Sequence, residues 1–184
     1  MQNTFPGTTV EITKLEQGSS RVLFDGIFAT GGVTLSQVCI ITGLEYYMIQ
    51  NWVKRKYVSP PVKRVYSRAQ LARIIIINML RESLNIERIA NLIKVIGGVL
   101  DDDSDDLISD DELYHRYVDM VADEGVALTN EASVRAAARK AVEDYPESPT
   151  DSKEKLTRII EAMYYAHSAA KLRDAADAIL ASLE

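Results

Sequence analysis

Residues 34–54 read TLSQVCIITGLEYYMIQNWVK, and this stretch decides how the surrounding chain is interpreted. Thr34 suits the N-cap of a short helix, and Gln37 stands at the reciprocal position of a capping box. Gly43 suits the left-handed conformation that ends many helices. A second helix is predicted over about residues 45–56, where apolar side chains return at helical spacing. The pattern therefore predicts two short helices joined through Gly43.

The second of these helices has two different faces. Apolar side chains at helical spacing form one stripe, and polar or aromatic side chains occupy the rest. The stripe consists of Met48, Ile49, Trp52 and Val53. The other face offers Tyr47, Gln50, Asn51 and Lys54. We expect the apolar stripe to pack within its own domain, with Trp52 as an anchor, and the other face to meet a partner.

The segment after this helix contains two prolines, and a stretch of alternating apolar and basic side chains follows them. Ser59-Pro60-Pro61 ends the helix, because proline removes a backbone donor and pushes the preceding residue into extended geometry. Residues 62–66 alternate apolar and basic side chains, as a short strand or β-ribbon does. The order of elements, two short helices followed by a basic ribbon, is that of a winged helix-turn-helix.

Two more helices are predicted behind the ribbon. Ser67 can cap a helix over about residues 68–83, and Asn85 can cap another over residues 86–96. The β-branched run Ile74–Ile77 is locally ambiguous, but the length of the segment favours a buried helix.

Outside this region the chain divides by composition. The predicted units are an irregular lead-in (1–33), a helix-turn-helix domain (34–98), an acidic connector (99–112) and a helical C-terminal domain for dimerisation or sensing (113–184). The C-terminal helices are predicted at about residues 110–123, 130–143 and 152–183. The expected fold class is mainly α, with a short β-ribbon in the first domain and an α-helical bundle as the second.

Charge is segregated along the chain. Residues 34–94 carry ten Lys and Arg against three Asp and Glu, which leaves a charge of +7. Residues 95–184 carry nine bases and twenty-one acids, which leaves −12. Because salt limits the reach of each charge to about 8 to 10 Å, the basic segment can attract a polyanion despite a net charge of −6.

Composition excludes several classes of protein. With 184 residues and 47% hydrophobic side chains, the chain is long and apolar enough to build a core. A single cysteine excludes a disulfide framework, and no apolar run approaches the roughly 20 residues of a membrane span. We find no secretory signal, nucleophile motif or phosphate-binding glycine loop, so we expect a cytoplasmic protein that is not an enzyme and needs no cofactor or metal.

The helix-turn-helix pattern and the basic segment coincide. A helix of this kind fits the major groove of DNA, where Gln and Asn can bond adenine through two atoms at once and Lys meets phosphate. Lys54, Arg55 and Lys56 lie at the end of the second helix, and Lys63 and Arg64 lie on the ribbon. The sequence therefore predicts a DNA-binding surface.

Residues 34–96 resemble the DNA-binding domain of the MerR-type transcriptional regulators. The resemblance rests on motifs that recur in order. They are Thr34-Leu35-Ser36-Gln37-Val38, Gly43-Leu44, Ser59-Pro60-Pro61, Arg64-Val65-Tyr66-Ser67, Leu71-Ala72-Arg73-Ile74 and Asn85-Ile86-Glu87-Arg88-Ile89. The whole chain is also similar to an uncharacterised bacterial family in which this domain carries a different, helical C-terminal half.

The resemblance implies a sequence-specific transcriptional regulator that binds double-stranded DNA as a homodimer at a two-fold site, with a small-molecule effector as a further expectation. It assigns base or sugar contacts to Tyr47, Gln50 and Asn51. It assigns backbone contacts to Lys54, Lys63, Arg64 and Tyr66, with Lys56 also on the expected DNA-binding surface.

The chain departs from the MerR pattern in three places. Gln50-Asn51-Trp52 stands where that family has Arg-Tyr-Tyr, so its base preference does not transfer. The ribbon before Tyr66 is short and has no turn glycine. An acidic connector and helical bundle replace the long dimerising coiled coil. These departures leave open a second interpretation, a protein-interaction module that keeps the fold but no longer binds DNA.

Several other signals have competing interpretations. Asp101, Asp103, Asp105 and Glu112 have the spacing of a calcium loop, but a solvated acidic linker is the simpler interpretation. Cys39 is expected to be a small core residue rather than a redox sensor. His115 and His167 have no companions at metal-ligand spacing. Aromatic and Met residues of the C-terminal half are expected to form its core rather than an effector pocket. They are Tyr114, Tyr117, Met120, Met163, Tyr164 and Tyr165.

Overall fold

The computed structural model of the chain describes residues 4–97, 106–123, 125–146 and 151–183. These residues form eight α-helices and one small antiparallel sheet, so the fold is mainly α. The helices are α1 (Ser19–Ile27), α2 (Leu35–Thr42), α3 (Tyr46–Lys54), α4 (Arg68–Leu80), α5 (Ile86–Ile96), α6 (Asp110–Val121), α7 (Glu131–Ala141) and α8 (Ser152–Ala181). The strands are β1 (Val33–Thr34) and β2 (Val65–Tyr66). None of the helices among these residues is long and apolar enough to cross a membrane.

The predicted helix starts are confirmed by their capping geometry. Thr34 caps α2, and its hydroxyl and the side chain of Gln37 form both hydrogen bonds of a capping box. Ser67 caps α4 with the same reciprocal arrangement through Gln70. Gly43 ends α2 with φ of 70°, the left-handed conformation that glycine adopts at low cost. From α2 to α8, every helix begins and ends within three residues of its predicted bounds.

Helix α4 lies at the centre of the molecule. Its isoleucine run, Ile74–Ile77, is helical and at most 1% exposed. A helix that is apolar on all sides must be surrounded, and α4 packs against α2, α6 and α8. This tertiary environment outweighs the preference of β-branched residues for strands.

The lead-in, which was predicted to be irregular, contains helix α1 and is packed against the body of the protein. Phe5 belongs to the core at 5% exposure. The Tyr114 hydroxyl donates to the carbonyl of Pro6 across 2.9 Å, and the Asn78 side-chain amide donates to the carbonyl of Gly7 across 3.0 Å. Helix α1, which lies within the predicted lead-in, packs on α6. The start of the chain thus contacts elements from both halves.

One hydrophobic core runs through both halves of the sequence. Its buried side chains extend from Phe5 to Ala166 and include α4 and α6 in direct contact. The aromatic and Met residues of the C-terminal half are mostly buried in it, as predicted for packing. Tyr114, Tyr117, Met120 and Met163 are at most 2% exposed, whereas Tyr164 is half-buried and Tyr165 is exposed.

Helix α8 changes character along its length. Its first part, up to Ala170, presents a buried face to α4, α6 and α7. Residues 171–183 are all exposed except Ala175, which is half-buried. The last three turns of this helix therefore project beyond the core.

Candidate nucleic-acid interface

Helix α3 presents the polar face that its sequence predicted. Tyr47, Gln50, Asn51 and Lys54 are all exposed, with Tyr47 at 69%. Because they are spaced at i, i+3, i+4 and i+7, their side chains leave the helix on one side. This side offers two amides, a phenol and an ammonium group to solvent, which are groups that bond to base edges and phosphates.

The opposite face of α3 fixes the helix to the body of the protein. Ile49 is fully buried and Trp52 is 6% exposed, and both belong to the hydrophobic core. The carbonyl of Trp52 accepts from the amide of Tyr57, so the chain turns immediately after the helix. Trp52 is therefore a core anchor, as predicted, and the orientation of α3 is set by packing.

Two more cations follow at the C-terminal end of α3. Arg55 is the C-cap residue, and Lys56 follows it with φ of 60°. Both side chains are exposed, and neither forms an ion pair with another described residue. The end of the helix thus carries unneutralised positive charge that a phosphate can approach.

The basic ribbon is a tight turn at the tip of the small sheet. Val62 and Val65 exchange both of their backbone hydrogen bonds, at 3.0 and 3.1 Å, which leaves Lys63 and Arg64 as the two central residues. Both are exposed, and both have positive φ, 51° and 69°. Positive φ at both central positions is the requirement of a type I′ hairpin turn, which normally takes Asn-Gly. Two long cationic side chains are thus held outward on a strained backbone.

The sheet beneath this turn is fixed by close packing. Strand β2 pairs antiparallel with β1 in the register Val33 to Tyr66 and Thr34 to Val65. A Cβ at Gly32 would lie 2.7 Å from the carbonyl oxygen of Tyr66 and closer still to the Val65 side chain, so this position requires glycine. Because Thr34 also caps α2, the ribbon is tied to the start of that helix.

The segment between α3 and the turn is also anchored. Val58 is fully buried, and the Gln70 side-chain amide donates to the carbonyls of Ser59 and Pro60 across 3.1 and 3.0 Å. Lys54 and Lys63 are nine residues apart, so their Cα atoms are separated by at most about 32 Å. The two Cα atoms therefore lie within the roughly 34 Å of one turn of B-DNA.

Tyr66 does not have the exposure that a backbone contact requires. Its side chain is 3% exposed and belongs to the core, because it points inward from β2 beside Val33. Burial also raises the pKa of its hydroxyl. The expected phosphate contact of Tyr66 is therefore wrong, whereas the other seven predicted residues lie at the surface.

Three of the ten bases in the positive segment are neutralised by acids among the described residues. Arg68 pairs with Asp25 at 2.7 Å, Arg73 with Asp110 at 2.7 Å, and Arg81 with its neighbour Glu82 at 3.1 Å. The first two partners lie outside the segment, so counting charge along the sequence missed both ion pairs. The exposed positive charge is therefore concentrated on α3 and the turn more strongly than the count of ten suggests.

A cleft lies beside the end of α3. It encloses about 620 Å³ between the residues that follow α3 and one side of α5. Its lining carries the cations Arg55, Lys56 and Lys94, the carboxylate Glu87, and Arg73, whose charge is paired with Asp110. The cleft extends the positive surface of α3 toward α5.

The structure gives little support to the calcium site, to a metal site or to a reactive Cys39. Asp101, Asp103 and Asp105 of the calcium pattern lie outside the described residues, and Glu112 is bound by Arg21 and Arg116, each at 2.9 Å. Within the described ranges, no three His, Cys, Asp or Glu residues are grouped to hold a metal ion. Cys39 is half-buried, and burial raises the pKa of its thiol, which disfavours the reactive thiolate.

The two histidines are structural groups in separate places. His115 bonds Ser20 through Nδ1 at 2.9 Å, and His167 bonds Tyr117 through Nδ1 at 2.7 Å. Both rings are buried, and burial lowers the pKa of each to about 4. They join α6 to α1 and to α8.

Comparison with known proteins finds relatives that are themselves uncharacterised. A protein of Bacillus subtilis (strain 168), described as uncharacterized protein YkrK, is 35% identical over 81 residues. The alignment covers 42% of this chain and 35% of that protein, so the chain spans about a third of its length. No solved structure matches the chain. Residues 34–117, from the cap of α2 into α6, match a family described as Domain of unknown function (DUF1836), and this part of the chain is thus similar to an uncharacterised bacterial family.

Proposed function

We propose that this protein is a sequence-specific DNA-binding transcriptional regulator with a winged helix-turn-helix related to the MerR type. The observation that carries the proposal is the exposed face of α3, where Gln50 and Asn51 stand between Tyr47 and Lys54. Their side chains are the two that read adenine through paired hydrogen bonds in the major groove. The apolar face of the same helix is held in the core, which fixes their direction.

In this proposal the cations and the side-chain amides have different roles. Lys54, Arg55 and Lys56 contact phosphates at the end of α3, and Lys63 and Arg64 contact the backbone from the turn. Phosphate contacts position a protein on DNA and give affinity, whereas contacts with base edges give sequence preference. Affinity should therefore fall steeply with salt, and preference should depend on Gln50 and Asn51.

The resemblance to MerR-type regulators adds a homodimer on a two-fold site. In such an arrangement, each copy places its own α3 in one half-site. Bacterial operators recognised by dimers have half-sites about 34 to 36 Å apart or a multiple of that distance, because α3 must meet the same groove twice.

The proposal is tested by fluorescence anisotropy with labelled duplexes drawn from the genome that encodes the protein. The variant Lys54→Glu with Arg64→Glu should lose binding at every salt concentration at which the wild type binds. The control, Arg139→Glu with Lys155→Glu, makes the same charge change at two exposed positions of the C-terminal half. Equal affinity of the wild type and the first variant would reject the proposal.

A protein-binding module is the second candidate, and one observation favours it. Ile40, Tyr47 and Val62 are 73%, 69% and 73% exposed on or near the helix-turn-helix. Large apolar side chains with this exposure are typical of surfaces that bind another protein. Co-purification of a stable protein partner, with no DNA affinity at low salt, would favour this second function.

A further inference from the structure

The projecting end of α8 carries an apolar stripe on its exposed side. The stripe runs along the helix and into the turn that follows it, with steps of four, three, four, three and four residues. Its members are Tyr165, Ala169, Leu172, Ala176, Ile179 and Leu183, and all are exposed. The four large members range from 38% to 77% exposure. Alternating steps of three and four are the spacing of a coiled-coil seam.

This stripe is distinct from the face that α8 packs into the core. The buried face includes Met163, Ala166, His167 and Ala170. At about 100° per residue, those positions lie on the side of the helix opposite Ala169 and Leu172. The described part of the chain therefore satisfies one face of α8 and leaves a second apolar face uncovered. Apolar surface that extends over several helical turns is characteristic of an interaction site.

The order of large and small side chains indicates what covers the stripe. Counting along it, the residues are large, small, large, small, large and large. In a parallel pair of identical helices each residue meets its own copy, so Ala169 would face Ala169 and Ala176 would face Ala176. Two such layers would leave voids in the interface, and voids cost stability.

An antiparallel pair removes those voids. When the two-fold axis passes midway between Leu172 and Ala176, each alanine faces a large residue of the second copy. The layers are Leu172 with Ala176, Ala169 with Ile179, and Tyr165 with Leu183, and each occurs twice. Every layer that contains an alanine then combines a small side chain with a large one, which lets the two helices approach closely over these central layers.

We propose that a second copy of this chain covers the stripe, through an antiparallel pairing of the two α8 helices. The occupant is argued from the self-complementarity of the stripe, since a two-fold interface requires one surface to match itself. The pairing does not depend on DNA binding. A monomeric chain would remove this pairing and the homodimer of the proposed function, but not the DNA contacts of α3, and loss of DNA binding would leave the pairing in place.

The oligomeric state of the full chain tests the pairing. Analytical ultracentrifugation of the wild type should give the mass of a dimer, and Leu172→Glu with Ile179→Glu should shift it to the mass of the monomer. Circular dichroism should remain unchanged, because both side chains are more than 60% exposed. The control, Ala178→Glu with Ala181→Glu, adds the same charge at exposed positions off the stripe and should remain a dimer. A wild type that is a monomer at all concentrations, or a control that dissociates equally, would overturn the proposal.

Cross-linking tests the direction of the helices. In a Cys39→Ser background, Ala169→Cys and Ile179→Cys proteins are prepared separately and then mixed to exchange subunits. The antiparallel register places residue 169 of one copy against residue 179 of the other, whereas each residue lies about 15 Å from its own copy. A short thiol cross-linker should therefore join the mixture and neither protein alone. Efficient cross-linking of the Ile179→Cys protein with itself would contradict the antiparallel register.

Discussion

Arg73 Nε donates to Asp110 Oδ2 across 2.7 Å, and this contact joins α4 to the first residue of α6 inside the protein. Both side chains are at most 10% exposed. Desolvation raises the pKa of Asp110 to about 6, against the opposing effect of the Arg73 charge. The ion pair is thus a buried link between the basic segment, residues 34–94, and the C-terminal half, and the family match that ends in α6 includes both partners.

Removal of Arg73 should destabilise the whole protein. Arg73→Met leaves the Asp110 carboxylate buried without its cation, and such changes cost about 3 to 5 kcal/mol. The loss should be smaller at pH 5 than at pH 8, because Asp110 can then take up a proton and become neutral. Urea unfolding at the two pH values measures this loss of stability. The double variant Arg73→Met with Asp110→Leu should recover much of the stability, and equal losses in the single and double variants would contradict this account.

The two buried histidines should make the protein acid-sensitive. Burial lowers the pKa of His115 and of His167 to about 4 from an ordinary value of 6.5. The unfolded chain therefore binds more protons between these values, so stability is fully present above pH 6.5 and is lost as the pH falls toward 4. Asp110 acts in the opposite direction, since its raised pKa of about 6 favours the folded state on acidification. The two histidines together outweigh this single carboxyl.

The histidine variants should remove that pH dependence. With His115→Gln and His167→Gln, thermal unfolding midpoints measured from pH 7 to pH 4.5 should stay level or rise on acidification. The wild type should instead lose stability, by on the order of 2 to 3 kcal/mol per histidine at most. A variant with the same fall in stability as the wild type would exclude the histidines as its cause.

Substitutions at the strained basic turn should change the stability of the protein and its DNA affinity independently. Lys63→Asn with Arg64→Gly supplies the residues that a type I′ turn prefers, and should stabilise the protein by about 1 kcal/mol. The same change removes two cations and should weaken DNA binding. Lys63→Gln with Arg64→Gln is the matched control, because it removes the charges and keeps the strain. It should lose the same DNA affinity without the gain in unfolding temperature.

Lys54 should affect affinity without affecting preference. Lys54→Ala removes a predicted phosphate contact, so binding should weaken for every duplex sequence. The slope of log affinity against log salt should fall by about 0.9 for that one contact. Titration of a preferred and an unrelated duplex at several salt concentrations measures both effects. A loss confined to the preferred duplex would indicate that Lys54 reads bases instead.

The helices were predictable from the sequence because their signals are local. Thr34, Ser67 and Asn85 bond amides three residues away, and Gly43 adopts its conformation within a single turn. The exposed face of α3 followed from the same periodicity. Such signals need no knowledge of how the elements pack.

The features that the sequence did not predict depend on contacts between distant residues. The burial of Tyr66 follows from the pairing of β2 with β1, and the loss of the Arg73 charge follows from Asp110, which lies 37 residues away. The packing of the lead-in on Tyr114 is of the same kind. The stripe on α8 could be read only after the structure showed which of its two apolar faces is buried.

The most direct test of the central claim is selection of duplexes from a random DNA pool by the full chain. The account predicts that the wild type enriches one shared motif and that Gln50→Ala with Asn51→Ala, which leaves every cation in place, retains non-specific affinity but no longer enriches it. If the wild type enriches no motif, or the variant enriches the same one, α3 does not read DNA in this protein.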